Sequence, residues 1–339
     1  MLSFMHGVLS KSALTTLQFA VAHTDFPFSS VYSLDKTTNE TIKLPDAITL
    51  PPNPAFGVHW HPTGNYYAVA HAKPPFITLY GFDNPTSTKL NDPNILPFST
   101  GLSVAWSPNG NFYIVATDAA PYFHLYSFDG IDSVLLPEPN VLPTGNAKSV
   151  AWNYTGNYFV VAHDIAPFVS IYEFDGLNSF IKAEPDILPA SDGYGAAWSP
   201  TADIFSIAHR DFPYISSYNF DGKNSIKLPD PDTLPSSTGF SVAWHPTGLF
   251  YLVGHAKGTY MSIYAFDGLN SIKQNDANIL VTSDGLGVAW YSTGNFYAIT
   301  SQDMPYLQLY AFDGIDSTKL ADPDILPPNT GNGVSFRPL

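Results

Sequence analysis

Short apolar segments alternate with turn residues along almost the whole chain. A representative stretch, residues 103–117, reads SVAWS, turns at PNG and continues as FYIVAT after an asparagine. A loop that usually contains proline follows, then FHLYSF, a turn at DG and a polar, proline-rich segment. No stretch of about 10–12 residues shows the apolar period of an amphipathic helix. The pattern therefore predicts short β-strands joined by tight turns.

The apolar pattern also predicts how deeply each strand is buried. The first two segments of a unit are apolar at consecutive positions (VAW, YIVA), which is typical of strands covered on both faces. The last segment, for example SIKLPDPDTLP at residues 225–235, carries prolines that suit an edge strand, because proline cannot donate to a sheet ladder. The unit thus runs from a buried strand to an edge strand.

The same unit recurs at a fixed interval of 46 residues. One column of the repeat is tryptophan, ending in a phenylalanine: Trp60, Trp106, Trp152, Trp198, Trp244, Trp290 and Phe336. A second column is tyrosine: Tyr80, Tyr126, Tyr172, Tyr218, Tyr264 and Tyr310. We interpret the tryptophans as core packing rather than as a ligand-binding ring, because valine and alanine precede them in each strand.

Four strands in each repeat of this length predict the blade of a β-propeller. Six units are complete, while residues 14–56 lack a first strand and residues 333–339 supply one with nothing after it. We therefore predict a single all-β domain, a seven-bladed β-propeller of four-stranded antiparallel blades, closed by the C-terminal strand joining the first blade. The expected divisions are 1–13 (possible N-terminal extension), 14–56 (blade 1, strands two to four), 57–102, 103–148, 149–194, 195–240, 241–286 and 287–332 (blades 2 to 7) and 333–339 (first strand of blade 1).

The repeated VAWSPNG motif and its copies resemble the WD40-like propeller proteins over almost the whole chain. Two elements of the WD40 pattern differ. The Gly-His pair before the first strand is absent, and Phe-Asp replaces Trp-Asp after the third strand, as at Phe128–Asp129. The WD40 hydrogen-bond network is therefore not expected. The combination of SVAWSPxG, VAH, PY and LPDPxxLP also resembles repeat proteins encoded by tailed bacteriophages.

Composition and charge narrow the possible partners. The 339 residues carry a net charge of −15 without a lysine or arginine cluster, so we expect no nucleic-acid partner. No apolar run is long enough to span a membrane, and no membrane insertion is expected. The chain has no cysteine, which excludes disulfides and zinc–thiolate sites. We expect no signal peptide, because the N-terminal AVAH recurs inside the chain at Ala68–His71.

Histidine ends the second strand of most units. The column comprises His23, His71, His163, His209 and His255, with Thr117 and Ser301 in the remaining places. In a propeller these positions lie near one rim, where they could form a metal site or a pH-sensitive surface. The alternative is that each imidazole hydrogen-bonds the loop of its own blade. We favour this alternative, because threonine and serine substitute without other change.

The remaining patterns point to structure rather than catalysis. The Asp-Gly column (Asp129, Asp175, Asp221, Asp267 and Asp313) and the DPD segments offer too few oxygens for calcium and are read as turns. No GxSxG, HExxH or phosphate-binding glycine loop occurs. His59, Arg210 and Lys257 are single departures from the repeat. We therefore expect neither an enzyme nor a cofactor or metal.

We predict a non-catalytic interaction scaffold, a structural component of a tailed-phage virion in its tail, capsid surface or attachment apparatus. Its partners would be other structural proteins of the particle, and it would be made in the host cytoplasm and located in the virion. Two alternatives stay open: a host-receptor or glycan-binding protein, and a propeller hydrolase or lactonase. A rim surface is the expected binding site, formed by His23, His71, His163, His209, His255, Tyr122, Tyr214 and Tyr306.

Overall fold

A computed structural model describes residues 15–339, so the predicted extension at residues 1–13 lies outside the described residues. Its 28 strands form seven antiparallel sheets of four strands each. Blade 1 contains β1 Thr16–His23, β2 Ser29–Asp35 and β3 Thr41–Lys43, and blade 2 contains β4 Ala55–Trp60, β5 Tyr66–His71, β6 Ile77–Asp83 and β7 Thr86–Lys89. Blade 3 contains β8 Gly101–Trp106, β9 Phe112–Thr117, β10 Phe123–Phe128 and β11 Ser133–Leu135, and blade 4 contains β12 Ala147–Trp152, β13 Tyr158–His163, β14 Val169–Phe174 and β15 Ser179–Ile181. Blades 5 to 7 and the closing strand are β16 Gly193–Trp198, β17 Ile204–His209, β18 Ile215–Phe220, β19 Ser225–Lys227; β20 Gly239–Trp244, β21 Phe250–His255, β22 Met261–Phe266, β23 Ser271–Lys273; β24 Gly285–Trp290, β25 Phe296–Ser301, β26 Leu307–Phe312, β27 Ser317–Lys319; and β28 Gly331–Phe336.

The predicted seven-bladed propeller and its closure are confirmed. β28 pairs antiparallel with β1, and Phe336 lies opposite Phe19 while Val334 lies opposite Val21. The order of strands in blade 1 is therefore β28-β1-β2-β3. The two ends of the described chain share one sheet, so the ring of seven blades is closed.

Arg337 fastens this closing strand to its own blade and to blade 2. Its Nε donates to the carbonyl of Gly64 at 2.7 Å, and its Nη1 donates to the side-chain oxygen of Gln18 at 3.0 Å. The guanidinium also lies 5.1 Å from the centre of the Phe82 ring. One side chain thus links β28 to a strand of blade 1 and to a turn of blade 2.

Aromatic rings pack between successive blades. Trp60 is buried and contacts Tyr67 at 4.9 Å and Phe82 edge-on at 5.1 Å between ring centres. Tyr67 stacks in turn on Tyr80 at 4.9 Å. The other tryptophans of the column are all less than 10% exposed and repeat this arrangement, as the sequence predicted for core packing.

The innermost strands approach one another so closely that only small residues fit at their third position. A Cβ on Gly57 would lie 2.9 Å from the Cα of Ser103, and one on Gly195 would lie 2.7 Å from the Cα of Ser241. Glycine or serine occupies this position in all seven innermost strands. The ring therefore has a fixed, narrow bore at this level.

The linker between blades covers the outer edge of the next blade. Asn94 donates its backbone N–H to the carbonyl of Ser133 at 3.0 Å, and its side-chain oxygen accepts the N–H of Leu135 at 2.9 Å. The same two bonds are made by Asn140, Asp186, Asp232, Asn278 and Asp324. Asp232 and Asp324 belong to DPD segments, which the sequence analysis read as turns, and the structure shows that they also bridge blades. Ile48 stands at the seventh position and is 98% exposed.

We expect the truncation Phe336→Ala to destabilise the ring. Phe336 packs on Phe19 and Tyr291, with ring centres 5.3 and 5.8 Å apart, and loss of a buried aromatic ring costs about 3–5 kcal/mol. The free energy of unfolding from urea denaturation measures the effect. The control is Phe336→Trp, which installs the residue of the other six blades and should cost much less. A Phe336→Ala loss below about 1 kcal/mol would show that closure does not depend on this packing.

Candidate functional site

The two faces of the ring differ in what they carry. The innermost strand begins opposite the end of the second strand, for example Ala55 opposite His71. The second-to-third-strand loops and the ends of the blade linkers therefore share one face, which we call the linker face. The opposite face carries the Pro-Thr-Gly and Asp-Gly turns and is called the turn face. All eight residues of the predicted rim surface belong to the linker face.

The histidines of this column lie beneath the surface. His23, His71, His163, His209 and His255 are all 0% exposed. In His163, Nε2 lies 3.0 Å from the Ser170 hydroxyl and Nδ1 lies 2.7 Å from the carbonyl oxygen of Ile165. Because a carbonyl only accepts, Nδ1 carries the proton and Nε2 accepts from serine. His23 and His255 likewise bond to their own loop and to the third strand, whereas His71 and His209 make the bond to the third strand.

Burial keeps these imidazoles neutral. Loss of hydration lowers the pKa of His23, His71 and His209 to about 4, and it lowers the pKa of His163 and His255 as well. No group of three His, Asp or Glu within residues 15–339 could hold a metal ion. Since the rings are buried, they cannot touch a macromolecular partner directly, and their contribution to a rim surface is to shape the loops.

In blade 3 the histidine of the second strand and its hydroxyl partner on the third strand exchange places. Thr117 stands in the histidine position, and its hydroxyl donates to the carbonyl of Ala119 at 3.2 Å. His124 stands where Ser170 stands in blade 4, and it is 2% exposed with neither ring nitrogen hydrogen-bonded in the described part of the chain. Burial lowers the pKa of His124 to about 4. The sequence analysis did not identify this buried histidine.

The three predicted tyrosines lie half-buried in the loops of the linker face. Tyr122, Tyr214 and Tyr306 each follow a proline and have φ angles of 65–72°, a region that favours glycine. Two backbone hydrogen bonds hold each one, as when the N–H of Tyr214 donates to Asp211 and its carbonyl accepts from His209. The residue before the proline is more exposed: Phe212 is 66% exposed. The loops therefore present apolar side chains on a rigid backbone.

A channel runs along the axis of the ring. At the linker face it holds a cavity of about 190 Å³, lined by the second to fourth residues of the innermost strands. Toward the turn face a larger chamber of about 610 Å³ follows, lined by alanines and by the edges of the tryptophan column. Val58 and Val104 line both, so the two cavities adjoin.

The second residue of the innermost strand forms the mouth of this channel. These mouth residues are all half-buried and comprise Phe56, Leu102, Lys148, Tyr194, Phe240, Leu286 and Asn332. The other positions of the strand are almost uniform among the blades, whereas the mouth position varies from phenylalanine to lysine. The fold does not require any one of these side chains. The variation within the repeat was visible in the sequence, and the sequence analysis missed it.

The mouth residues combine aromatic surface with one neutralised cation. The rings of Tyr194 and Phe240 lie 5.8 Å apart. The ammonium of Lys148 lies 3.3 Å from Oδ2 of Asp164, which also accepts the side-chain N–H of Asn146 at 3.0 Å. The amide of Asn332 donates to the carbonyl of Ala55 at 2.8 Å. The mouth thus presents aromatic and aliphatic side chains with fixed polar groups between them.

His59 is the titratable imidazole of the inner chamber. Its Nδ1 accepts the backbone N–H of Trp106 at 3.2 Å, so Nε2 carries the proton of the neutral ring. Burial, with a smaller contribution from the nearby His61, lowers its pKa to about 4. Among residues 15–339, His59 and Lys148 are the only Lys, Arg, His, Asp or Glu side chains that line the two cavities. A paired acid and base is therefore absent from the described lining.

The chain was compared with known proteins by sequence and by structure. No model of a known protein family matches it, and no curated protein matches it. Within residues 15–339 no helix is sufficiently long and apolar to cross a membrane.

Solved structures share the fold. A Bacteroides fragilis protein described as a 6-phosphogluconolactonase aligns with a TM-score of 0.75 and 12% identity, over 96% of this chain and 99% of that one. The periplasmic gluconolactonase of Pseudomonas aeruginosa gives 0.71 and 13%, over 95% and 99%. Hydrazine synthase of Kuenenia stuttgartiensis gives 0.60 and 13%, over 85% and 90%. These identities show a common propeller fold and no more. The first two are lactonase-type proteins, and none of the three is a phage protein.

We expect the buried histidines to make the protein less stable in acid. An exposed histidine titrates near 6.5, whereas the pKa of His209 in the folded protein is about 4. The unfolded chain therefore binds the proton first, and stability is lost as the pH falls from about 6.5 to about 4. Each pKa unit corresponds to about 1.4 kcal/mol. His209→Gln should reduce the slope of unfolding free energy against pH, measured by urea denaturation.

The control for this measurement is Asp221→Asn. Backbone N–H groups of Asn224 and Lys223 lower the pKa of Asp221 below its usual range, so that this carboxylate affects stability only in more acidic solution. The slope of Asp221→Asn between about pH 6.5 and 4.5 should match the wild type. Equal slopes for His209→Gln and the wild type would contradict the assignment.

Proposed function

We propose that this protein is a non-catalytic binding scaffold that receives its partner at the mouth of the axial channel on the linker face. The single observation that carries the proposal is the mouth position, which varies among blades whose other inner positions are nearly constant. Side chains that the fold does not require, half-buried around a cavity, are available for recognition. A partner that covers them removes apolar surface from water.

The lining supports binding rather than hydrolysis. Lys148 is paired with Asp164, and Nδ1 of His59 is occupied by a backbone N–H. A hydrolase of the lactonase type needs groups that activate water and polarise a carbonyl. Lactonase activity is the second candidate function, because the chain shares its fold with lactonase-type proteins. Turnover of a gluconolactone by the purified protein would contradict the scaffold proposal.

Within the scaffold proposal, the narrower function remains a structural component of a tailed-phage virion. It follows from the sequence resemblance and from the regularity of the repeat, and the structural comparisons lend it no support. A host-receptor or glycan-binding role would use the same mouth, since aromatic rings and an amide face it. We expect mass spectrometry of purified particles to find the chain in stoichiometric amount. Its absence from the particles would exclude the virion assignment and leave the scaffold proposal untouched.

The mouth is tested by the double substitution Tyr194→Asn and Phe240→Asn. Asn332 shows that this position accepts asparagine, so we expect the fold to persist while binding of the partner weakens by tenfold or more, about 1.4 kcal/mol or above. Affinity capture by wild type and variant, quantified side by side, gives the measurement. Leu249→Asn is the control: Leu249 is 57% exposed on the turn face, where four other blades carry asparagine. Equal loss in both variants would contradict a site at the mouth.

A further inference from the structure

A second cavity lies on the flank of blade 4, away from the channel. It has a volume of about 120 Å³ and lies among the blade linker at residues 141–144, the start of β14 and the end of β15. Val169 and Ile171 line it and are 1% exposed, and Leu142, Pro167 and Ile181 also line it. We call it the flank socket. We infer that the flank socket receives an aromatic side chain of a partner polypeptide that carries a basic residue beside it.

The two side-chain hydroxyls that line the flank socket are already hydrogen-bonded within the chain. The Ser170 hydroxyl bonds to Nε2 of His163 at 3.0 Å. The Thr144 hydroxyl donates to the carbonyls of Ile165 and Ala166 at 3.2 and 2.8 Å. An apolar protein cavity of roughly 150 Å³ stays dry and binds benzene. A space of about 120 Å³ with its hydroxyls already engaged therefore suits one aromatic ring.

Blade 3 shows which side chain fits this place. Phe98 lies 46 residues before Thr144, and its ring stands edge-on to the imidazole of His124 at 4.7 Å. Both rings line the equivalent cavity of blade 3, which is reduced to about 20 Å³. Threonine and serine replace these two rings in blade 4, and the space they would fill is open. The chain itself thus places an aromatic ring, 58% exposed, over the equivalent groove of blade 3.

The rim of the flank socket indicates the charge of the partner. Glu184 lines the socket, is exposed and forms no ion pair with another described residue. Lys182 also lines it, but its ammonium is held by Glu173 at 2.8 Å. The protein as a whole carries a net charge of −15. A lysine or arginine next to the inserted ring would meet this uncompensated carboxylate, and Val141 and Ile165, both about half exposed, would pack against the flanking chain.

The test uses acetyl-(4-fluorophenylalanyl)-arginine amide and fluorine NMR on the whole protein. We expect saturable binding of one equivalent to the wild type. Thr144→Phe installs the blade 3 residue and should weaken binding by tenfold or more, about 1.4 kcal/mol. Glu184→Gln should weaken it roughly two- to fivefold, as expected for an ion pair at an exposed rim. Phe98→Thr opens the blade 3 groove, where Glu138 takes the place of Glu184, and should add a second equivalent.

Two controls show whether the aromatic ring of the probe enters the flank socket. Thr144→Val removes the hydrogen bonds of the hydroxyl and keeps the β-branched shape and the cavity, so binding should stay within about twofold of wild type. The probe with alanine in place of fluorophenylalanine, followed by its proton signals, should not bind. Thermal unfolding of each variant shows whether it is folded. No saturable binding to the wild type, or unchanged binding to a folded Thr144→Phe protein, would overturn the inference.

Discussion

The pairing of β28 with β1 is the constraint from which the rest of the structure follows. It joins the last residues of the chain to the first described strand, and it fixes the number of blades at seven. A closed ring sets the distance between neighbouring innermost strands, and at their third position that distance leaves room only for glycine or serine. The diameter of the channel and the spacing of the mouth residues are therefore consequences of closure. Neither could be adjusted without changing the number of blades.

Closure places the inner edges of the sheets around the channel. The outermost strand of each blade still has backbone groups that need hydrogen-bond partners. The blade linkers supply them: an asparagine or aspartate pairs with the backbone of the next outer strand in six of the seven described junctions. An exposed strand edge can pair with other chains, so these linker bonds also protect the protein against aggregation. At the seventh junction Ile48 provides no side-chain acceptor and is almost fully exposed. The outer edge of blade 2 at Lys89 is accordingly the least protected edge of the ring.

The repeat made the fold predictable, while contacts between blades were beyond reach of the sequence. Trp60 and its copies recur every 46 residues because each blade makes the same core contact, so their spacing revealed both the unit and the missing first strand. The bridging role of Asn94 was not visible in the sequence, because its partner Leu135 lies 41 positions away in another blade. The sequence analysis favoured a bond from each histidine to its own loop, as Nδ1 of His163 makes to Ile165, but the second bond, to Ser170 on the third strand, is seen only in the structure. Turn chemistry explained Asp129, whose carboxylate accepts from residues only two and three positions ahead.

Positions that depart from the repeat, rather than the repeat itself, are where this ring can distinguish one partner, or one orientation of a partner, from another. Seven identical blades would present the same surface seven times around the axis, and a partner without such symmetry would have no preferred orientation. Lys148 and Asn332 break the symmetry of the mouth, and the exchange of Phe98 for Thr144 breaks that of the flank. Packing of the core does not depend on the residue at these positions, because blades with different residues there have the same fold. The fold therefore holds a specific surface at the few positions where its own packing leaves the choice of residue open.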